Sequence, residues 1–333
     1  MSKQIKKQYL AFNQRNKKNV FPFLQKPLLS KWFDKQLDDA IDREDIMYDP
    51  EFVIQNIVTD LREYKYNHNI HNVVLGISGG IDSAVTAALF NEAGWHVTGV
   101  LMPIKQNPME TQRGLEVVKH LGIKSQTHDL TRAYEAMFDI FKDNAIDPDL
   151  GKQTKAAKVR AGNFRARLRM MTLYNIAAQQ GGLVASTDNF SELAAGFWTL
   201  HGDVGDLAPI QSLSKSWEIP LIAQQLGLPK SVIEANPTDG LGIDAGDEAQ
   251  FGFSYAQFDL VLFALLSSDL RLDGATDEDK AIVEAVENKI RSTAFKRTNP
   301  VNLDHPIHGD WRYENLAKVD NLLITKTKEK IND

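Results

Sequence analysis

Two periodicities alternate along this chain between residues 50 and 186. Val53, Ile54, Ile57, Val58 and Leu61 recur at three- and four-residue spacing, which predicts an amphipathic helix. Asp49-Pro50-Glu51 opens that helix with an N-cap, a proline in the first turn and an acidic residue at its positive end. Short segments at 72–77, 96–102, 123–128 and 182–186 follow, most of them near-continuously apolar, and these predict strands. Between them, helical spacing predicts helices over 82–93, 110–121, 131–143 and 155–180. Strands apolar on both faces, alternating with helices, predict an α/β fold: a doubly wound, mostly parallel sheet with helices on both faces. Ligands of such sheets sit at the carboxyl ends of the strands, where Ser78 and Thr187 fall.

Beyond residue 200 the pattern loosens. A helix is predicted over 214–227, and Leu260–Leu266 reads as a short buried helix turn or strand. The Gly/Asp-rich stretch 236–248 is long for a compact domain and is read as a functional loop that closes over a site. Residues 1–45 are rich in Lys, Gln, Asn and Asp, with an aromatic and proline cluster at Phe21-Pro22-Phe23, and read as an extension packed on the domain or on a second subunit. The expected organisation is this extension, a domain over 46–300, and a charged tail over 301–333.

Composition narrows the picture. A hydrophobic content of 43% and a charged content of 25% are ordinary for a globular protein. The net charge of −6 gives no global attraction to nucleic acid or to an anionic membrane. No apolar run approaches the ~20 residues of a membrane span, and the basic N-terminus lacks an apolar secretory core. The expected location is the cytoplasm. There is no cysteine. Disulfides, cysteine zinc sites and thiolate nucleophiles are therefore excluded.

The candidate chemistry begins at Gly76-Ile77-Ser78-Gly79-Gly80-Ile81-Asp82-Ser83, between a strand-like and a helix-like segment. A glycine turn opening a helix directs backbone N–H groups and the positive helix end at one spot, and suits an anion. Ser78 and Ser83 add hydroxyl donors. Asp82 suits a phosphate site only with a divalent metal between carboxylate and phosphate. No Lys-Ser or Lys-Thr follows the glycines, so this is not a Walker loop, and it is not G-x-G-x-x-G. Further along, Arg165 and Arg169 share one helix face and Arg167 points elsewhere. They read as anion-binding groups or as a solvated basic face. In Ser186-Thr187-Asp188-Asn189-Phe190-Ser191-Glu192, either Asn189 or Ser191 reads as a helix cap, with Glu192 in the first turn. Lys215 stands at the start of the predicted 214–227 helix, as a ligand or a surface residue.

The loop resembles the pyrophosphate loop of N-type ATP pyrophosphatases. The ordered set of motifs resembles the ammonia-dependent NAD synthetases over about residues 46–300. It comprises that loop, Gly162-Asn163-Phe164-Arg165-Ala166-Arg167-Leu168-Arg169-Met170, Thr187-Asp188 with Glu192, Gly202-Asp203-Val204-Gly205-Asp206, Lys215, Pro237-Thr238, Gly252-Phe253-Ser254-Tyr255 and Lys296-Arg297. The resemblance implies an adenine nucleotide alpha-hydrolase-like, Rossmann-like fold. It implies amidation of deamido-NAD by ammonia with ATP, through an adenylated carboxylate, giving NAD, AMP and pyrophosphate. It also implies Mg2+ on Asp82 and Glu192, and a homodimer. ATP would be held by Gly76, Ser78, Gly79, Gly80, Asp82, Ser83, Thr187, Lys215 and Thr238. Deamido-NAD would be held by Asn163, Arg167, Asp206 and Lys296, with Asp82, Lys215 and Glu192 carrying the catalysis. Two positions depart from the family: Leu200 stands where many members carry Lys, and Phe295 where they carry His. An acceptor other than deamido-NAD, as in GMP synthetases, is the alternative reading.

Overall fold

The computed structural model describes residues 30–42, 49–235, 248 and 251–298. The elements are α1 (Lys31–Asp42), α2 (Pro50–His68), β1 (Asn72–Gly76), α3 (Ile81–Glu92), β2 (His96–Leu101), α4 (Pro108–Leu121), β3 (Lys124–Thr127) and α5 (Thr131–Asp143). They continue with α6 (Lys155–Gln180), β4 (Leu183–Val184), α7 (Phe190–Ala195), α8 (Glu218–Gln225), α9 (Lys230–Ile233), α10 (Tyr255–Leu266) and α11 (Asp277–Ser292). A single 3-10 turn, Ala294–Arg297, follows α11. None of the described helices is long and apolar enough to cross a membrane.

The four strands form one parallel sheet in the order β3-β2-β1-β4. Alternation along β1 sends its side chains to opposite faces. Val73 and Leu75 enter a large core with residues of α3, α8 and α10. Val74 enters a second core with Val100, Val184 and the α6 residues Met170, Leu173 and Ile176. β1, β2 and β4 are thus packed against cores on both faces of the sheet, whereas the edge strand β3 is polar and mostly exposed. The predicted strand over 182–186 is shorter as a ladder. Beyond Val184 its pairing passes to a parallel bridge between Ala185 and Leu207.

Local signals explain most boundaries. Asp49 Oδ1 accepts the N–H groups of Glu51 and Phe52, which starts α2 as expected. Gly122 and Gly181 close α4 and α6 in the left-handed conformation. The apolar run around Leu260 is helical, inside α10.

The helix predicted from 214 begins at Glu218 instead, so Lys215 lies in the turn before it. A helix from 214 would give the Ser214 carbonyl an i+4 partner, but that carbonyl accepts Ile219 N, five residues on, at 3.1 Å. Glu218 Oε2 accepts Ser214 N at 2.5 Å, and Asp259 Oδ2 accepts Ser216 N at 3.0 Å, which anchors the turn. Helical periodicity counts apolar residues and does not register such anchoring.

Within the segment read as an N-terminal extension, α1 packs chiefly on α10 of the same chain. Trp32, Phe33, Leu37 and Ala40 are buried in the large core. Ser30 Oγ donates to Asp279 Oδ1 at 2.7 Å, and Trp32 Nε1 donates to the Arg271 carbonyl at 3.2 Å. The predicted closing loop 236–248 lies outside the described residues except for Glu248. Thr238 and the tail over 301–333 lie outside them entirely.

Two stability outcomes follow. Phe33 has no solvent exposure, so Phe33→Ala should cost about 3–5 kcal/mol in urea unfolding. A loss under ~1 kcal/mol, typical of surface substitutions, would mean that α1 does not contribute to the core. Burial pushes Glu218 from 4.5 up to about 7. The folded state therefore holds a proton that the unfolded state releases near 4.5, and Glu218 makes stability fall as pH rises between these values. Glu218→Gln keeps an acceptor for Ser214 N and should flatten that fall, by about 3 kcal/mol at pH 8. Parallel stability–pH curves for the two proteins would contradict this assignment.

Candidate active site

A cavity of about 570 Å3 opens at the carboxyl ends of β1, β2 and β4. Its floor is the loop between β1 and α3. Gly79 takes φ +83°, and a Cβ there would stand 2.1 Å from the Glu110 carbonyl oxygen. Only glycine lets α4 approach this closely. Gly80 has φ −90° and imposes no such demand. The loop is braced from within: Ser83 Oγ donates to the Gly80 carbonyl at 3.0 Å, lies 3.1 Å from Ser78 Oγ, and accepts Ser78 N at 3.3 Å. From α4, Arg113 Nε donates to the Gly79 carbonyl at 3.1 Å. No side chain caps the N-terminus of α3. Its first-turn N–H groups have no intrahelical acceptor and form an anion-binding end.

One wall joins three distant segments. Asn189 is the N-cap of α7 in a capping box with Glu192: Glu192 N donates to Asn189 Oδ1 at 3.0 Å, and Asn189 N to Glu192 Oε2 at 3.2 Å. The cap is therefore Asn189 and not Ser191. Asn189 Nδ2 reaches across to Asp82 Oδ1 at 3.0 Å. The other Asp82 oxygen forms an ion pair with Lys215 Nζ. Both members are largely withdrawn from water, with side-chain exposures of 16% for Asp82 and 9% for Lys215. Removing one partner of such a pair leaves the other charge uncompensated. Asp188 adjoins them; burial raises its pKa, against hydrogen bonds from Ser186 Oγ at 2.6 Å and Gln211 Nε2 at 2.8 Å.

The predicted ATP residues Gly76, Ser78, Gly80, Asp82, Ser83, Thr187 and Lys215 line this one cavity, and so does Glu192. Gly79 lies directly beneath it. The residues predicted for the second substrate, Asn163, Arg167, Asp206 and Lys296, are not among those that line it. Arg167 Nε donates to the Leu200 carbonyl at 3.1 Å, and Asn163 Oδ1 accepts Thr199 Oγ1 at 2.7 Å. Asp206 accepts Tyr174 OH at 2.7 Å and Val184 N at 2.9 Å, tying the 199–206 turn to α6 and β4. Lys296 Nζ donates to the carbonyls of Gly196 and Trp198 and backs the Trp198 ring, which itself lines the cavity. Burial and the neighbouring Lys289 lower the Lys296 pKa.

Several cavity residues escaped the sequence reading. Arg169 lines the cavity and holds Gln106 Oε1 at 2.8 Å, whereas Arg165, on the same helix face, stacks over Tyr134. Arg113, Asp203 and Tyr255 also line it. The Arg160–Arg169 cluster flagged one of these without resolving which arginine faces inward. For Tyr255 the Gly-x-Ser-Tyr motif was the available signal. Among the described residues there is no cluster of three or more metal-type side chains. Two carboxylates beside a phosphate-binding loop, Asp82 and Glu192, nevertheless fit Mg2+, which takes one or two carboxylates with substrate phosphates and water.

Comparison with known proteins agrees with this geometry. The family described as NAD synthase matches residues 53–300. The NH(3)-dependent NAD(+) synthetase of Methanocaldococcus jannaschii is 36% identical over 256 residues, covering 75% of this chain and 95% of that protein. An NMN synthetase structure from Francisella tularensis superposes with a TM-score of 0.66 at 28% identity, covering 78% of this chain and all of that one. The NH3-dependent NAD synthetase of Campylobacter jejuni, in complex with nitrate, gives 0.61 at 30% identity over 77% of this chain and all of that one. The chain belongs to the NAD synthase family.

Proposed function

We propose that this protein uses ATP to amidate deamido-NAD with free ammonia, giving NAD, AMP and pyrophosphate. The observation that carries the reading is the joining of the β1–α3 loop, Asp82, Glu192 and Lys215 around one cavity in a chain of this family. The glycine loop and the open end of α3 receive the phosphate groups that leave as pyrophosphate. A carboxylate oxygen of the nicotinate ring attacks the α-phosphorus, and the α–β phosphoanhydride bond breaks. Ammonia then attacks the activated carbonyl carbon, loses a proton, and AMP departs. Mg2+ held by Asp82 and Glu192 would neutralise phosphate charge. Lys215, released from Asp82 by an arriving phosphate, supplies positive charge where negative charge develops on the leaving group. No covalent enzyme nucleophile is required, in keeping with a chain without cysteine.

The second substrate meets the rim formed by Trp198, Lys296, Arg167 and the 199–206 turn. We place the enzyme in the cytoplasm as a homodimer. Apolar side chains exposed on α5 and α6, Met137, Ile140, Met171 and Tyr174, support a subunit contact there. A second reading, with the pyridine mononucleotide as acceptor, is favoured by the superposition on an NMN synthetase. It is also favoured by Leu200 and Phe295, which carry no charge where many family members have Lys and His.

The deciding experiment offers ATP, Mg2+ and either ammonium or glutamine with deamido-NAD or nicotinate mononucleotide. NAD formed from deamido-NAD with ammonium and not with glutamine is the expected result. Faster amidation of the mononucleotide would establish the second reading, and pyrophosphate release with neither acceptor would overturn both. Lys215→Met should lower kcat by about 10²–10³-fold, the usual loss for one preorganised charge donor. Steady-state kinetics measures it, and a kcat within threefold of the parent would remove Lys215 from the mechanism.

A further inference from the structure

Helix α10 carries a single ionisable carboxylate in an otherwise apolar sequence, Asp259, and that carboxylate has no solvent exposure. Its two oxygens serve two different segments of the cavity wall. Oδ1 accepts Ser191 Oγ at 2.5 Å, and Oδ2 accepts both Ser216 Oγ at 2.6 Å and Ser216 N at 3.0 Å. Ser191 Oγ in turn accepts Lys215 N at 2.9 Å. Ser191 directly precedes Glu192, and Ser216 directly follows Lys215. One buried carboxylate therefore grips the residues next to two charged groups of the candidate site, Glu192 and Lys215. The same helix also presents the Tyr255 ring, one turn earlier, 5.8 Å from Lys215 Nζ.

The arrangement has a specific mechanical effect. Two successive backbone amides, of Lys215 and Ser216, point into one hydrogen-bond chain that ends on Asp259. These bonds fix the Lys215 and Ser216 amides in the turn before α8, from which the Lys215 side chain reaches Asp82. A buried carboxylate is a poor way to gain stability compared with an apolar residue of similar size. A fully satisfied one, by contrast, fixes a single geometry.

We propose that Asp259 is a positioning residue: through Ser191 and Ser216 it sets the direction in which Lys215 enters the phosphate cavity and couples that direction to the segment bearing Glu192. The proposal rests on the amidation reading above, with Lys215 as the group that meets ATP. Asp259 touches no substrate. Its effect is on how well a bound nucleotide is aligned, so its loss should appear in kcat more than in the KM for ATP.

The test uses the full chain and three variants. In Asp259→Asn, the oxygen stays with the two Ser216 donors. The amide NH2 then faces Ser191 Oγ, whose own proton loses its acceptor. Ser191→Ala leaves the Ser216 bonds intact and cuts only the branch to Lys215 N. Asp279→Asn is the control. Asp279 is also buried, and it holds Thr276 and Ser30 on the side of α11 that meets α1, away from the cavity. Each protein is assayed for NAD formation below its own unfolding transition. We expect Asp259→Asn and Ser191→Ala each to lower kcat by about tenfold or more. The KM for ATP should stay within about twofold, and the double variant should be no slower than the slower single variant, as residues acting through one chain of bonds are not additive. Asp279→Asn should lose stability and keep kcat.

Unchanged kcat in both site variants, or equal kcat losses in Asp279→Asn, would overturn the proposal by reducing Asp259 to ordinary core polarity. A raised KM for ATP with kcat intact would also overturn it. If Asp259→Asn fails to fold, Ser191→Ala decides the question alone. NAD formation by the parent protein in the same assay separates the two readings. A parent that makes NAD while the variants match its kcat defeats only the role of Asp259. A parent that makes none defeats the amidation reading and this proposal together.

Discussion

The candidate site depends on one buried charge pairing, between Asp82 at the start of α3 and Lys215 in the turn before α8. These residues are 133 positions apart, and the parallel sheet is what makes them neighbours. The order β3-β2-β1-β4 sets the end of β1 beside the end of β4, so that the loops leaving both strands face each other. Asn189, on the β4 side, then bridges to Asp82. A sheet with another strand between β1 and β4 would separate them by about a further 5 Å and break the contact. The chemistry is thus a property of strand order before it is a property of any residue.

The pair also has two states built into it. With no anion present, the lysine neutralises the aspartate and each limits the desolvation cost of the other. In the proposed reaction a phosphate and a divalent cation would give the same two groups opposite tasks, Lys215 toward the phosphate and Asp82 toward the metal.

What was readable from sequence was what is local. The strand, glycine turn and helix around Gly79 occupy consecutive residues, and the left-handed glycine is demanded by contact with the next helix. The cap at Asp49 and the boundaries of α5 and α6 are equally local. Asn189 and Asp259 were not legible as site residues, because their partners are 107 and 68 positions away. Asn189 shows itself in sequence only as a helix cap, and Asp259 only as an odd carboxylate in an apolar run. The start of α8 was misplaced because the turn before it is anchored by Asp259, 43 positions from Ser216, and no count of apolar spacing contains that information. Arg167, Asp206 and Lys296 were assigned to the second substrate through family motifs. Their present hydrogen bonds all serve the protein's own backbone or Tyr174.

Helix α1 carries a different lesson. The family match begins at residue 53, yet Trp32 and Phe33 are packed in the same core as β1 and α10. The stretch that the family model matches and the unit that packs into one core are therefore not the same. A fragment cut at the shared boundary would present a bare apolar strip along α10, the very helix that carries Asp259. In this protein the helix ahead of the family match is a structural keel, and the match taken alone would place the saw on the wrong side of it.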